Sequence, residues 1–392
     1  MLAVMSENPS ETAPVAAARA LRPLILAARA DTEARRCLPA SLTEALLEAK
    51  LFRLAVPAGD GGLEASPLEA LGVYEELAGA EASVAFVVWN NALPAFLSRY
   101  LADGERHALF SGARTITANS TRPSGRATRC EGGFRVDGRW ALVSGCELAE
   151  HLLLRCIVAP DSGQSAGGAP ELIMTFLPRQ SCRIVDTWHV GGLCGTGSHD
   201  VVVENAFVPE AKSIAFSQAV RLDRPLYRMP FAATMSAGCA AICLGIAGAA
   251  LRTLIDLIAT KVPQDFAFAL RDRPALQAEV ARLTAQHAAV RLALLSAVDS
   301  AWRTCCAERK VTLEERATIW GAAQHAADAA KDLVRRAYEA VGISALYVTC
   351  PLERAHRDIH AVTQHIILSP SWLEDAGRVW LGGEPVNPMF AS

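Results

Sequence analysis

Apolar and polar positions divide the chain into three stretches with different periods. Up to about residue 112 the apolar residues recur at helical spacing, punctuated by helix start signals. Ser41 with Glu44 reads as a capping box, and Ser66-Pro67-Leu68-Glu69 adds proline at the first helical position. A third helix is expected over about Ser83 to Leu101, kinked at Pro94. From about Arg114 the period shortens to two. Thr115–Asn119, Gly133–Val136, Arg139–Ser144, Leu152–Val158, Glu171–Leu177 and Asp200–Phe207 read as strands. Hairpin turns are expected at Glu131-Gly132-Gly133 and Asp137-Gly138, and a surface loop over Asp161–Pro170. After Val208-Pro209 the period turns helical again over about 228–262, 274–304 and 312–341, the last opened by a Thr312…Glu315 capping box. Pro351 leads into a further helix, and Ser371…Glu374 caps a final one.

The pattern predicts an α+β protein in three parts. These are an N-terminal helical domain over residues 1–112, a central β-barrel or sandwich domain over 113–222, and a C-terminal four-helix bundle over 223–392. Residues 231–251 carry no charge, a run long enough to cross a bilayer. They are mostly Ala, Gly, Ser and Cys, which transfer weakly into lipid, and Arg252 and Asp256 continue the same helical pattern. The stretch is therefore read as a buried helix against which neighbours approach closely.

Hydrophobic residues make up 51% and charged residues 20%, enough for a large core and unlike a disordered chain. The net charge is −3 and no basic run reaches five residues, so the footprint of a nucleic-acid or anionic-membrane binder is missing. Such a balance suits an enzyme acting on a small, uncharged substrate in a dry pocket. Eleven cysteines include no C-x-x-C, the histidines form no H-E-x-x-H, and His356/His360 lack further ligands, so no metal site is expected. Glu7 and Glu11 precede the apolar stretch near Ala16, unlike a secretory signal, which points to reduced thiols and the cytoplasm.

The nucleotide motifs fail. Gly191-Gly192-Leu193-Cys194-Gly195-Thr196-Gly197-Ser198 is glycine-rich, but Asp200 takes the last glycine of a G-x-G-x-x-G, and the segment lies between strands. There is no G-x-x-x-x-G-K-[ST] and no G-x-S-x-G. No nicotinamide site is expected.

The run from Trp188-His189-Val190 through this glycine-rich segment to Val203, followed by Phe207-Val208-Pro209, resembles the flavin-binding segment of the acyl-CoA dehydrogenase fold. Pro123-x-Gly125, Gly132-Gly133-Phe134-x-Val136-x-Gly138-x-Trp140, Leu244-Gly245-x-Ala247 and Arg357-Asp358 extend the likeness over most of the chain. The resemblance implies a homotetramer and flavin contacts by Trp140, Ser144, Gly145, Asn119, Thr196 and Ser198. Two details set the chemistry. Trp140 and Gly145 are five apart with a Ser144-Gly145 dipeptide, as in two-component (group D) flavin monooxygenases. Arg357-Asp358 leads to Gln364-His365-Ile366, so Ile366 stands where the dehydrogenase carboxylate would be, and an apolar side chain cannot accept a proton. Asp256 is the only carboxylate between Phe231 and Val262 that offers a displaced base. The family's phosphate arginine would fall near Phe266, with Arg271 and Arg273 out of register, which fits FMN or loosely held reduced flavin.

The chemistry implied is that of a reduced-flavin-dependent monooxygenase. It uses reduced FMN or FAD and O2, passes one oxygen from a flavin C4a-hydroperoxide to a small organic substrate, and is fed by a separate NAD(P)H-flavin reductase. The resemblance places the Ser144 hydroxyl near flavin N5 and makes His365 the imidazole that holds the substrate or manages its proton. Ser144 equally suits a strand-end turn, His365 a core position, and Thr196 and Ser198 a glycine-rich turn. Phe86 and Trp89 read as pocket or core, and Trp89-Asn90-Asn91 stands where some members carry a second histidine. Two other readings remain: an FAD-dependent acyl-CoA dehydrogenase with a displaced base, and an inactive flavin-binding member.

Overall fold

The computed structural model describes residues 12–160, 170–262 and 269–390. The loop expected over 161–170, apart from its last residue, and the position of Phe266 lie outside the described residues. Six helices come first: α1 (Ala13–Ala20), α2 (Arg22–Arg35), α3 (Ala40–Glu48), α4 (Pro67–Ala80), α5 (Ala82–Leu97) and α6 (Asp103–Phe110). Seven strands follow: β1 (Thr117–Cys130), β2 (Gly133–Val143), β3 (His151–Val158), β4 (Leu172–Pro178), β5 (Arg183–Val185), β6 (His199–Pro209) and β7 (Ser213–Ala215). The chain then returns to helix in α7 (Pro225–Arg228), α8 (Phe231–Thr260), α9 (Pro274–Cys306), α10 (Leu313–Ala340), α11 (Pro351–Val362) and α12 (Ser371–Trp380).

Two of the expected helix caps form and two do not. Ser66 with Glu69 and Thr312 with Glu315 make reciprocal capping boxes, each satisfying two otherwise orphaned N–H groups. At α3 the N-cap is Pro39, Ser41 makes no capping bond, and Glu44 reaches away to pair with Arg114. Pro370 likewise caps α12 and leaves Ser371 as its first residue.

The strands form one seven-stranded mixed sheet in the order β5-β6-β2-β1-β3-β4-β7. β1 and β3 pair in parallel and the other pairs are antiparallel. Asp137-Gly138 is no hairpin turn. It lies within β2, where the register against β6 slips between Val136 and Gly138. Gly138 pairs with Gly125 of β1, and the Trp140 ring lies over both. A Cβ on Gly125 would sit 1.9 Å from Trp140 Cζ2, so the ring requires glycine there.

The buried side chains form two clusters. One belongs to the sheet and holds Ala127, Val136, Trp140, Leu154 and Val201 among others. The other runs continuously through the N-terminal and C-terminal helices and takes in Leu153, Met174, Phe176 and Ile214 from the sheet. The two helical segments therefore pack as one body. At its centre lies α8, buried along most of residues 231–251 and packed by α4, α9, α10 and α11. A Cβ on Gly245 would fall 2.3 Å from the Glu75 carbonyl of α4, which is why this uncharged helix is built from small residues.

Candidate active site

The candidate site forms where α5 meets the sheet. In the middle of this wholly buried helix stand two amides, Asn90 and Asn91. An amide in such surroundings needs partners, and the strand ends supply them. Asn90 Nδ2 donates to the Ser144 carbonyl at 3.0 Å, and Asn119 Nδ2 donates to the Asn90 carbonyl at 2.8 Å and to its Oδ1 at 3.0 Å. Asn91 Oδ1 accepts from the Thr117 N–H at 2.7 Å, while its Nδ2 donates to the Phe52 carbonyl at 2.5 Å. These bonds fix the first residues of β1 and the end of β2 against one face of α5.

Beyond β2 the chain carries a run of hydroxyls. Ser144 Oγ lies 2.7 Å from Ser198 Oγ, which lies 2.7 Å from Thr196 Oγ1, and Thr196 Oγ1 donates to the Leu193 carbonyl at 2.9 Å. Gly145, at φ 74°, closes the group by donating its N–H to the Thr196 carbonyl at 2.8 Å. Since Thr196 gives its only hydroxyl proton to Leu193, the hydrogens run from Ser144 to Ser198 to Thr196. That order leaves the lone pairs of Ser144 Oγ as acceptors. Asn119, Ser144, Gly145, Thr196 and Ser198, for which the resemblance implies flavin contact, are thus brought together.

Trp140 is not among them, contrary to expectation. Its side chain is fully buried in the sheet's own core, and its Nε1 donates to the Arg155 carbonyl at 2.7 Å. Strand parity explains the error. Trp140 and Ser144 are four apart and would share a face in a regular strand, but the β2–β6 register slips again between Trp140 and Val143. Leu142 takes φ 61° and turns outward, Trp140 and Val143 both face the core, and Ser144 is left on the α5 side.

His365 follows α11 and packs its ring edge-on to Trp89, with centroids 5.2 Å apart, and against Phe86 at 5.8 Å. Val87 and Asn90, between and beside those aromatics, face Gly145 and Ser144, so both halves of the site dock on the same stretch of α5. Burial pushes the His365 pKa down to about 4, which keeps the ring neutral. Its Nδ1 accepts from the Ile367 N–H at 3.2 Å, which places the ring's single proton on Nε2. Ile366 is exposed.

The Arg357-Asp358 pair holds the glycine-rich loop rather than a ligand. Asp358 accepts from the Leu193 N–H at 2.7 Å, and Arg357 donates to the Gly191 carbonyl. Burial, reinforced by the nearby Glu81 carboxylate, raises Asp358 to about 7. The displaced-base candidate falls far away. Trp89 touches α8 at Met235 and Gly238, and Asp256 lies 18 residues beyond Gly238, roughly 27 Å along the helix. Arg271, just before α9, is an exposed residue beside Asp272.

Sequence reasoning did not assign Asn90 and Asn91 a role. Their signal was present as two adjacent amides inside an otherwise apolar helical run, a placement that demands buried partners. The donor set of the site is all neutral: hydroxyls, amides, one imidazole and a backbone N–H. Such a set suits the polar edge of a flavin ring, with its alternating N–H and C=O groups, better than a phosphate or a metal.

Comparison with known proteins places the chain. Residues 11–102 match the acyl-CoA dehydrogenase N-terminal domain, and residues 237–370 match the acyl-CoA dehydrogenase C-terminal domain. The chain is 30% identical over 336 residues to an indole-3-acetate monooxygenase of Pseudomonas putida, covering 86% of this chain and 85% of that protein. It is 28% identical over 381 residues to the oxygenase component of an FADH(2)-dependent resorcinol hydroxylase of Rhizobium sp. (strain MTP-10005), with 91% of each covered. The crystal structure of 3-HSA hydroxylase from Rhodococcus sp. RHA1 superposes with a TM-score of 0.87 at 27% identity, covering 95% of this chain and 97% of that one. The chain belongs to the acyl-CoA dehydrogenase-fold family, alongside the oxygenase components of two-component flavin-dependent monooxygenases.

Proposed function

We propose that the protein is the oxygenase component of a two-component system, a reduced-flavin-dependent monooxygenase that transfers one oxygen atom to a small organic substrate. The observation that carries this reading is the neutral make-up of the site. Removing a proton from the α-carbon of an acyl thioester requires a base, but the carboxyls at the start of α5 and behind the glycine-rich loop, Glu81 and Asp358, are committed to Arg354 and to the Leu193 N–H, while the His365 imidazole is a weak base at about 4. The related oxygenases named above support the reading, and the FADH(2)-dependent one supports a reduced flavin as the cofactor.

Bound reduced flavin would supply the activation of O2. The protein's own part is to hold the ring, keep out water and place the substrate. Ser144 Oγ, its proton committed to Ser198, offers lone pairs to a ring N–H, and Asn119, Thr196 and Ser198 would complete that edge. His365, uncharged at neutral pH, would donate from Nε2 to a substrate oxygen or nitrogen and orient it. Phe86 and Trp89 close the aromatic wall beside it. The reaction needs a separate NAD(P)H-flavin reductase. A homotetramer fits the exposed apolar residues Ile343, Leu346, Tyr347 and Val348, and a cytoplasmic setting fits eleven free cysteines.

The test loads the protein anaerobically with reduced FMN or FAD and admits isotopically labelled O2 with a panel of small aromatic compounds. One labelled oxygen atom per product is expected, with no turnover on NAD(P)H alone. Reduction of bound oxidised flavin by an acyl-CoA thioester, without oxygenated product, would overturn the reading.

A further inference from the structure

A cavity of about 360 Å³, within the size range of small-molecule pockets, lies further along the seam that holds the site and shares no lining residue with it. Leu97 stands two turns beyond Trp89 on α5, about 12 Å along the axis, and Phe231 one turn before the Met235 carbonyl that holds Trp89 Nε1. Thr121 follows Asn119 by two residues on β1. The walls are otherwise largely apolar, with Leu172, Met174 and Phe216 prominent among them.

Into this apolar space projects one cation without an acid. Among the described residues no carboxylate lies within ion-pair distance of Arg155, whose Nη1 donates weakly to the Thr121 carbonyl at 3.4 Å and whose Nε is buried with no hydrogen-bond partner. Its guanidinium lies 5.9 Å from the Phe216 ring. Glu171 also borders the cavity, but both its oxygens take Arg129 at 2.8 Å. Burial alone lowers the Arg155 pKa. A half-buried guanidinium on an apolar wall, paired with no acid among the described residues, is a costly arrangement unless an anion joins it from the cavity side.

We infer that Arg155 anchors the carboxylate of an apolar organic acid in this cavity, and that this acid is the substrate of the reaction proposed above. A single planar guanidinium matches a single carboxylate, and the apolar walls match the rest of such a molecule. The inference replaces the expectation of an uncharged substrate, and it rests on the monooxygenase reading only for naming the ligand a substrate.

Calorimetric titration with phenylacetate and 1-naphthylacetate, each against its amide, tests the pocket on the wild-type protein. Both acids are expected to bind on the order of tenfold or more tightly than their amides. Arg155→Met should remove that preference while leaving the amides as they were, and Arg155→Lys should restore part of it. Equal binding of acid and amide in both pairs would overturn the inference. So would an Arg155→Met variant that weakens FMN but not riboflavin, since the cation would then serve the cofactor's phosphate. Acid preference without labelled product from either acid would leave the anion pocket standing and overturn its assignment as the substrate site. Labelled product formed equally from acid and amide would overturn the anion pocket and leave the monooxygenase reading standing.

Discussion

The depressed basicity of His365 has a stability consequence. Its imidazole titrates at about 4 in the fold, against an ordinary value of 6.5, so the unfolded chain takes up the proton first as pH falls. The stability contributed by the neutral ring is complete above about pH 6.5 and is lost as pH falls through 4. His365→Asn, which cannot charge, should lose up to about 3 kcal/mol less than the parent across that window, read from urea unfolding at a series of pH values. Ser144→Ala tests the hydroxyl chain by a different readout. Hydrogen peroxide released per flavin oxidised should rise roughly tenfold, in line with the loss of one hydrogen bond worth about 1 kcal/mol or slightly more, while the fold stays intact. The hydroxyl residues were legible because a glycine-rich segment and a strand-end Ser-Gly are local features, whereas Asn90 and Asn91 depend on strand ends far along the chain. Trp140 was misread because its face depends on a register slip against β6, which alternation within one strand does not record.

Among elements, the same uncertainty surrounds caps. Ser41/Glu44 and Thr312/Glu315 are the same pattern in the sequence, yet only the second closes reciprocally. Proline takes the capping position at α3, and Arg114 competes for Glu44 from the start of the sheet. Thr312→Ala should therefore cost about 1 kcal/mol of stability and Ser41→Ala almost none, a contrast that paired thermal melts would reveal. The long helices were readable to within a few residues because their apolar period persists over many turns. Asp137-Gly138 was not, because the turn chemistry of that dipeptide also suits a bulge inside a longer strand.

For the whole molecule, the segment between α10 and α11 carries Ile343, Leu346, Tyr347 and Val348 in the open, with Val348 81% exposed. Apolar groups so placed favour contact with another surface. If that surface is a second copy, Leu346→Glu with Val348→Glu should lower the mass found by light scattering while leaving helix content unchanged. The sharing of one core by the first and last thirds of the chain was not visible in the sequence, since periodicity identifies a buried face without naming what buries it.

That division into two cores bears on traffic. An oxygenase served by a separate reductase must admit a fresh flavin in every cycle and let the spent one go. The site proposed for the flavin lies where the sheet meets α5, and part of that border is amide and hydroxyl contact of the Asn90–Asn119 and Asn91–Thr117 kind. Water can replace those polar contacts at modest cost, whereas the apolar part of the border, where Leu153, Met174, Phe176 and Ile214 join the helical core, holds the two bodies together. Amide hydrogen exchange should then be fastest along the start of β1 and the end of β2 in the flavin-free protein, slow sharply when flavin is added, and leave the centre of α8 unchanged throughout. Flavin exchange would then rest on loosening the polar stretch of the seam while its apolar stretch stays packed.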